Sequence, residues 1–497
     1  MKGKTINIIL YTLAALIVFA GVHMTQEFRF YTMESNDLFI YDAGHVMQTL
    51  MQPGGSALLI ASFLTQFMRI PFVGTLVATA VYMIVGVLII NMLRKRRGGS
   101  AISGLSFVPV AFLYLCLEND YYRFQGHVAF LLALLVLWIF ISMRTERCGI
   151  RLISAVAAVP LLYWLAGSAA AVFAVTYAVS EIIDRGVKGF YSLICPLLYV
   201  LTAFVFYRLS FIGTFEASVS PLMYYSHPST YFFPAYAWIS VPLLWIAAFS
   251  LSRLDSRRIS WLYVAAGIAV SVFIAGNMYS KVHSRSSYRL IQEQYLADKG
   301  EWDRIIETAD RKQPTYMVSY LNLALAQKNM LLERLPYFNP QPVDRIMMPT
   351  PNLKHGFTLQ SDVYLSWGYV AAARQAAFDA NLVTPGMHNP HQLKKLIITD
   401  IVLESYGTAE KYIGILEKTL FYRSWARNMR RYLDDRAAVL NDPYLGDLCM
   451  AVPEKSEYIR YDGLKGDMRD ILEAYPSHRI LLQFHAAYLL LEKEGGR

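Results

Sequence analysis

The sequence predicts an all-α protein in two parts, a polytopic α-helical membrane domain of about nine spans followed by a soluble α-helical repeat-like domain. Of its 497 residues, 55% are hydrophobic and 17% are charged, a balance that is unusual for a soluble chain. The apolar residues concentrate between 6 and 277, in uncharged blocks about as long as the roughly 20 residues that a helix needs to cross hydrocarbon. Charged residues return after Lys281 at helical spacing. The predicted domains are therefore 1–280 and 281–497.

Charge and cysteine content exclude several classes of protein. The net charge is +9, but many Lys and Arg residues lie in short clusters between apolar blocks, where they set membrane orientation. We therefore expect no nucleic-acid partner. The cysteines show neither a CxxC spacing nor a neighbouring histidine pattern, so they predict no zinc site and no disulfide framework; they are Cys116, Cys148, Cys195 and Cys449.

The N-terminal region sets the orientation. Lys2 and Lys4 precede the apolar run 6–23, which lacks a small-residue cleavage site and is predicted to be a retained first helix with its N-terminus inside. The next long apolar block, 72–93, is closed by four basic residues at 94–97, a strong cytoplasmic signal. Residues 24–71 are then one external segment, in which the short apolar stretch 56–70 predicts an interfacial or re-entrant helix.

The remaining spans are predicted at 101–117, 127–143, 190–207, 232–251 and 259–277, together with the run 152–180. That run is interrupted at Gly167 and Ser168, so it could be one tilted helix or two short ones. Two crossings place the following basic residues inside. The chain beyond Lys281 is then outside, which predicts a bacterial inner-membrane protein with a cytoplasmic N-terminus and a periplasmic C-terminal domain.

Amphipathic helices are predicted in the C-terminal half. The stretches 301–312 and 316–328, separated by Pro314, read as a helical hairpin, and 363–382, 408–420 and 480–491 as parts of others. Small Ala and Gly residues on these helices resemble those of a tetratricopeptide array, although an insert at 331–359 with five prolines interrupts it. Such arrays bind partners along a concave face, and the alternative is a lid that packs on the membrane domain.

The first external segment has an acidic stretch, with Glu34 and Asp37 placed before a predicted helix at 38–51. One explanation is structural, because Ser35 or Asn36 could cap that helix and an acid in its first turn is favoured by the helix dipole. The other is functional. Asp37, Tyr41 and His45 are spaced i, i+4 and i+8 and would share a helix face. A carboxylate there could act as a general base toward a hydroxyl, or as a metal ligand.

The second external loop is short and polar. It places Glu118 and Asp120 beside Arg123 at the ends of two spans. The acids could hold a divalent metal ion, and the arginine could contact a lipid phosphate. The alternative is that a tight interfacial loop must be polar, with Tyr121 and Tyr122 as belt aromatics.

This arrangement of one helix, a long acidic external loop and further spans with short acidic loops resembles the glycosyltransferase C superfamily. Its members take a sugar from a polyprenyl phosphate carrier and often carry an extracytoplasmic C-terminal domain. The resemblance implies a first-loop acid at Glu34 or Asp37 and a second-loop acid at Glu118 or Asp120. The full chain, including the PGG and FLTQF segments of 53–67, also resembles a family of bacterial envelope membrane proteins of unknown function.

The leading hypothesis is a glycosyltransferase-like membrane enzyme that uses a polyprenyl-phosphate-linked sugar in envelope glycan assembly, with a divalent metal ion as a possible cofactor. The alternatives are a noncatalytic scaffold that presents the helical domain to envelope proteins, and a transporter of lipid or glycan. The candidate catalytic residues are Asp37, Glu34, Asp120 and Glu118, and the candidate substrate or lipid-phosphate contacts are Arg123, His45 and Tyr41.

Overall fold

The computed structural model describes residues 2–95, 102–143, 148–226, 232–250, 260–311, 315–338, 346, 354–452 and 463–495. Over these residues the chain consists of α-helices and short 3₁₀ segments, and the one β-bridge among them joins Tyr122 and Ser226. The all-α fold class is thereby confirmed. The basic residues at 96–97, 144–147 and 253–258, on which the predicted orientation depends, lie outside the described residues.

Two compact units make up the chain. The first unit contains Met1–Glu34 and Asp42–His283, and the second contains Ser35–Tyr41 and Ser284–Arg497. The assignment of 1–280 to the membrane and of 281–497 to the extracytoplasmic space stays a prediction.

The first unit is built from fourteen described helices, of which α2 continues for two residues into the second unit. They are α1 (Lys2–Gln26), α2 (Arg29–Asn36), α3 (Ala43–Leu50), α4 (Gly55–Thr65), α5 (Pro71–Leu93), α6 (Phe107–Cys116), α7 (Gln125–Ser142), α8 (Cys148–Ala166), α9 (Ala170–Arg185), α10 (Ile194–Arg208), α11 (Phe215–Val219), α12 (Pro221–Tyr224), α13 (Phe233–Ser250) and α14 (Ser260–Val282).

Six helical stretches of the described chain are long and apolar enough to cross a membrane: Ile8–Gln26, Pro71–Leu93, Gln125–Ser142, Gly149–Arg208, Phe233–Ser250 and Trp261–Val282. The sequence predicts nine. The difference has two causes. The apolar helix Ser103–Cys116 is shorter than a usual span, and three predicted crossings fall in the single 60-residue stretch Gly149–Arg208. Membrane association is thus supported by six helices, and the count of nine remains part of the proposal below.

The 60-residue stretch is not one straight helix. Helices α8 and α9 are separated by a 3₁₀ turn at Gly167–Ala169, and a second 3₁₀ segment at Gly186–Leu193 precedes α10. Gly167 has a φ of +72°, and an added Cβ there would lie 2.4 Å from the Tyr224 ring. Only glycine fits this turn without strain. The predicted interruption at Gly167 and Ser168 is confirmed.

The predicted helix at 38–51 is wrong in its first part. Helix α2 ends at Asn36, the chain is then non-helical, and α3 begins at Ala43. The N-cap of α3 is Asp42, whose Oδ2 accepts a hydrogen bond from the His45 backbone N–H at 3.1 Å. Ser35 and Asn36 are therefore the last residues of one helix and do not cap the next.

The segment between these helices is anchored in the second unit. Leu38 and Ile40 are buried in an apolar core of that unit. The Tyr41 N–H donates to the Lys418 carbonyl at 2.7 Å, and Asn36 O accepts from a backbone N–H of the second unit at 2.8 Å. These tertiary contacts replace the helix that local spacing predicts.

The second unit is also helical over its described residues. Its helices are α15 (Arg285–Asp298), α16 (Trp302–Glu307), α17 (Thr315–Gln327), α18 (Leu331–Arg334), α19 (Lys354–Ser366), α20 (Val370–Leu382), α21 (Pro390–Val402), α22 (Tyr406–Glu417), α23 (Arg423–Arg430), α24 (Arg436–Asn441), α25 (Pro443–Ala451), α26 (Gly463–Ala474) and α27 (Arg479–Gly495).

Consecutive helices from α19 to α23 each pack on the next one. The predicted stretch 363–382 is divided between α19 and α20 at Gly368, where φ is +73°. The predicted helix 301–312 is shorter than expected and ends at Glu307. Pro314 and four of the five prolines of the insert at 331–359 lie outside the described residues. The unit is helical, and a tetratricopeptide array is not shown.

Candidate functional site

The second predicted loop folds as a compact turn between α6 and α7. The Tyr122 N–H donates to the Asn119 carbonyl at 2.9 Å, and the Asn119 side chain donates to Ser226 Oγ at 2.7 Å. The Arg123 N–H donates to the Tyr225 carbonyl at 2.8 Å. Backbone and side-chain bonds thus hold this loop against the chain near residue 225, and they fix the direction of its acidic side chains.

Arg29, at the start of α2, joins the two acids of this loop. Its Nη2 lies 2.9 Å from Glu118 Oε2 and its Nη1 lies 2.5 Å from Asp120 Oδ1. The three side chains are 2%, 0% and 14% exposed, respectively. Charges removed from water in this way need close partners, and the planar guanidinium can engage two carboxylates at once. The structure therefore brings Glu118 and Asp120 together around one buried cation.

Two further side chains join this group, which we call the Arg29 cluster: Gln26, Arg29, Glu118, Asp120 and His283. Gln26 Nε2 donates to Glu118 Oε1 at 2.6 Å, and His283 Nδ1 lies 3.1 Å from Glu118 Oε2. Counted without His283, one arginine and two carboxylates give the cluster a formal charge of −1. Such a mixture of acids, a base and a cation can both take up a proton and compensate a change in charge.

An apolar groove lies in the same unit, between α1, α6 and α14. It encloses about 280 Å³ and is lined mainly by aliphatic side chains and by the glycines Gly21 and Gly276. Ile17 and Val272 line it and are 39% and 46% exposed, so the groove is open at the protein surface. Its shape and lining suit a flexible hydrocarbon chain.

One end of the groove adjoins the Arg29 cluster through Thr25 and Tyr279. Thr25, Tyr114 and Tyr279 line its polar end, where Thr25 Oγ1 and the Tyr114 hydroxyl are 2.8 Å apart. Thr25 precedes Gln26 in α1, and the Tyr279 ring stacks on the His283 ring with centroids 4.5 Å apart. A ligand whose apolar chain occupies the groove would therefore place its polar head group near the cluster.

The first-segment candidates have a different arrangement from the one predicted. Asp37 and Tyr41 lie in the non-helical segment that belongs to the second unit, whereas His45 lies in α3 of the first unit. The predicted helix face shared by these three residues is wrong, because the helix that would create it begins only at Ala43. Glu34 is buried within α2 of the first unit.

Among the other candidates, Arg123 and His45 are half-buried. No group of three or more His, Cys, Asp or Glu side chains in the described part of the chain has an arrangement that could hold a metal ion.

Sequence reasoning did not select Gln26, Arg29 or His283. Arg29 offered a signal, since it is one of few cations in a segment predicted to be external and a buried arginine requires carboxylate partners. His283 follows the last apolar helix, and only the packing of α14 brings it to Glu118.

Comparison with known proteins gives one match. The model described as "Family of unknown function (DUF6057)" matches residues 2–495. The chain belongs to this family. The match extends over both units, so they are parts of one family architecture. No curated protein and no solved structure matches the chain. Similarity to the glycosyltransferase C superfamily or to tetratricopeptide proteins is not shown.

Proposed function

We propose that this chain is a glycosyltransferase-like enzyme of the bacterial inner membrane that takes a sugar from a polyprenyl phosphate carrier for envelope glycan assembly. The observation that carries the proposal is the apolar groove, one of whose lining residues, Tyr279, stacks on His283 of the Arg29 cluster. In this proposal the isoprenoid chain occupies the groove, and the sugar phosphate lies beside the cluster. The chain crosses the membrane nine times, with a cytoplasmic N-terminus and a periplasmic second unit.

The cluster provides the groups that the transfer step needs. An acceptor hydroxyl attacks the anomeric carbon of the donor, and a new C–O bond forms. The bond between that carbon and the phosphate oxygen breaks, and its electron pair stays on the phosphate. The acceptor proton passes to Asp120, which is the more exposed of the two carboxylates. A positioned base of this kind contributes on the order of 10²–10⁴-fold to a rate.

Arg29 links proton transfer to departure of the phosphate. While Asp120 is ionised, the arginine has two anionic partners. Once Asp120 is protonated, the formal charge of the cluster changes from −1 to zero, and repulsion of the anionic leaving group decreases. Arg123, in the same loop, is placed in the proposal as a further contact of the lipid phosphate. Glu118 and Gln26 hold Arg29 and His283 in position.

A noncatalytic scaffold is the second candidate, and the burial of Glu118 favours it. The Glu118 side chain is fully enclosed and engaged by Arg29, Gln26 and His283. In the scaffold, the sole role of Glu118 is to fix the loop at 117–124 to α1 through Gln26. In that case the second unit would bind envelope proteins, and the membrane helices would act as its anchor.

Replacement of the two acids distinguishes these functions. In a bacterium that lacks the gene and has a measurable defect in an envelope glycan, Asp120→Asn and Glu118→Gln are each expressed, with Glu216→Gln as the matched control at an exposed acid of the first unit. We expect the control to restore the glycan, and Asp120→Asn to reduce transfer by about 10²-fold or more while the protein remains monodisperse in detergent. Full restoration by both cluster variants would exclude catalysis and leave the scaffold.

A further inference from the structure

The second unit contains a separate cavity of about 510 Å³. Its walls come from α15, α16, α17, α19 and α25, and it is closed at one side by the 475–480 segment at the start of α27. This volume lies within the range of roughly 300–1,000 Å³ typical of small-ligand sites. The cavity takes no part in the reaction proposed for the first unit.

Three aromatic side chains line this cavity: Trp302, Tyr444 and Tyr475. Tyr444 keeps 51% of its surface accessible to water. Its ring is therefore partly open to a molecule in the cavity. The rings therefore offer apolar faces to a ligand that enters the cavity.

The charges of the lining nearly cancel. Asp298, Asp362 and Asp447 line the cavity together with Arg479. Behind the lining, Lys395 Nζ contacts Asp362 Oδ1 at 2.5 Å. His391 Nδ1 lies 3.7 Å from Asp298 Oδ1, and Lys394 is also near Asp298. The positive and negative charges in and behind the lining are therefore close to balance. A strongly anionic ligand is disfavoured by this balance, and a strongly cationic ligand finds little net attraction.

Both hydrogen-bond donors and acceptors line the cavity. His478 Nδ1 accepts from the Leu481 N–H at 3.2 Å, so the proton of the neutral ring is on Nε2. Burial lowers the pKa of His478 and favours this neutral form. Gln327 and Arg479 add side-chain donors, whereas the carboxylates are acceptors.

We propose that this cavity binds a neutral carbohydrate segment. Sugar hydroxyls both donate and accept, which matches the mixed lining, and the C–H faces of a sugar ring can pack on Tyr444, Tyr475 or Trp302. The inference does not rest on the function proposed above, because binding in the second unit requires no transfer reaction. It would equally suit a scaffold that holds an envelope glycan.

The test uses the full-length protein in lipid nanodiscs, which avoids glycoside detergents. Maltotetraose, chitotetraose and mannotetraose are the neutral probes, with tetralysine and inorganic phosphate as charged probes, and binding is measured by isothermal titration calorimetry. Tyr444→Ala and Asp447→Asn alter the cavity. Tyr337→Ala is the matched control, because Tyr337 is 53% exposed in the same unit and does not line the cavity.

We expect at least one neutral tetrasaccharide to bind, with affinity reduced about 10-fold or more by each cavity variant and unchanged in the control. Binding of no neutral probe would overturn the proposal, as would binding that the cavity variants leave unaltered. Binding of tetralysine alone would identify a site for basic peptide, and binding of phosphate alone an anion site, and either would contradict a carbohydrate site. A folding defect in one variant would appear as aggregation during purification, and the other variant then decides.

Discussion

At the scale of single residues, the second unit contains a carboxylate whose environment differs from that of the Arg29 cluster. Glu293 on α15 is 2% exposed, and neither carboxylate oxygen has a hydrogen-bond partner among the described residues. Burial raises the pKa of Glu293 to about 8, although Arg289 acts in the opposite direction. The buried group is therefore protonated at neutral pH in the folded protein, whereas an exposed glutamate is ionised.

This difference makes stability depend on pH. Between pH 4.5, the ordinary pKa, and about pH 8, Glu293 keeps its proton in the folded state but has lost it in the unfolded state. The contribution of Glu293 to the free energy of unfolding is therefore fully present below pH 4.5 and decreases as the pH rises toward 8. We expect Glu293→Gln to remove this slope, which amounts to about 1.4 kcal/mol for each pH unit between the two values.

The measurement is the thermal unfolding midpoint of the full-length protein in detergent from pH 5 to 8.5. Glu307→Gln, at an exposed glutamate of α16, is the control and should keep the parental slope. Equal slopes in Glu293→Gln and in the parent protein would show that Glu293 does not titrate in this range.

The candidate site was only partly predictable from individual residues. Glu118 and Asp120 stand out because two acids in a very short loop between apolar runs are conspicuous in the sequence. Arg29 and His283 are remote from them in the chain and meet them only through helix packing. A single sequence does not encode in its local spacing which helices become neighbours, so pairing across the unit could not be derived.

At the scale of elements, apolar periodicity predicted helices well and their ends less well. The break at Gly167 could be predicted because glycine follows a long apolar run. The non-helical chain around Leu38 and Ile40 could not be predicted from the sequence, because its apolar residues also fit a helix and its partners lie far along the sequence. Long-range burial determined the structure there.

The turn between α19 and α20 is a helix end at which glycine and a tertiary contact both act, so substitution there tests their effect. Gly368 has a φ of +73°, and an added Cβ would lie 2.4 Å from the Ala451 Cβ. We expect Gly368→Ala to destabilise the protein by about 2 kcal/mol or more, through backbone strain and overlap. Gly414→Ala is the matched control. It lies within α22 with nothing near its added Cβ, and should be neutral or stabilising by about 0.5–1 kcal/mol.

Resistance of the full-length protein in detergent to urea, followed by tryptophan fluorescence, compares the two variants. An unchanged midpoint for Gly368→Ala would mean that the turn tolerates another conformation.

At the scale of the whole molecule, the sequence predicted an all-α chain, and the structure confirms it over the described residues. The number of crossings could not be fixed in the same way. Whether the stretch Gly149–Arg208 crosses two or three times, with 152–180 as one crossing or two, depends on where its 3₁₀ breaks lie relative to the bilayer. Parity of the crossings in turn decides the side of the second unit, so the proposed periplasmic location depends on that stretch.

In the proposed function, the groove of the first unit binds a polyprenyl phosphate. Gly21 and Gly276 both line the groove, and an added Cβ at either meets nothing within 4 Å. Leucine at both positions should therefore fill the groove without displacing the backbone. Gly149→Leu is the control, because Gly149 is equally open but does not line the groove.

The direct measurement is photo-crosslinking of a diazirine-bearing polyprenyl phosphate to the full-length protein in nanodiscs, followed by peptide mass spectrometry. We expect the label to concentrate on α1, α6 and α14, to fall about 10-fold or more in the Gly21→Leu, Gly276→Leu double variant, and to be unchanged in Gly149→Leu. Label spread evenly over the apolar helices, or label on the groove that the double variant does not reduce, would show that the groove is not a specific site for the polyprenyl phosphate.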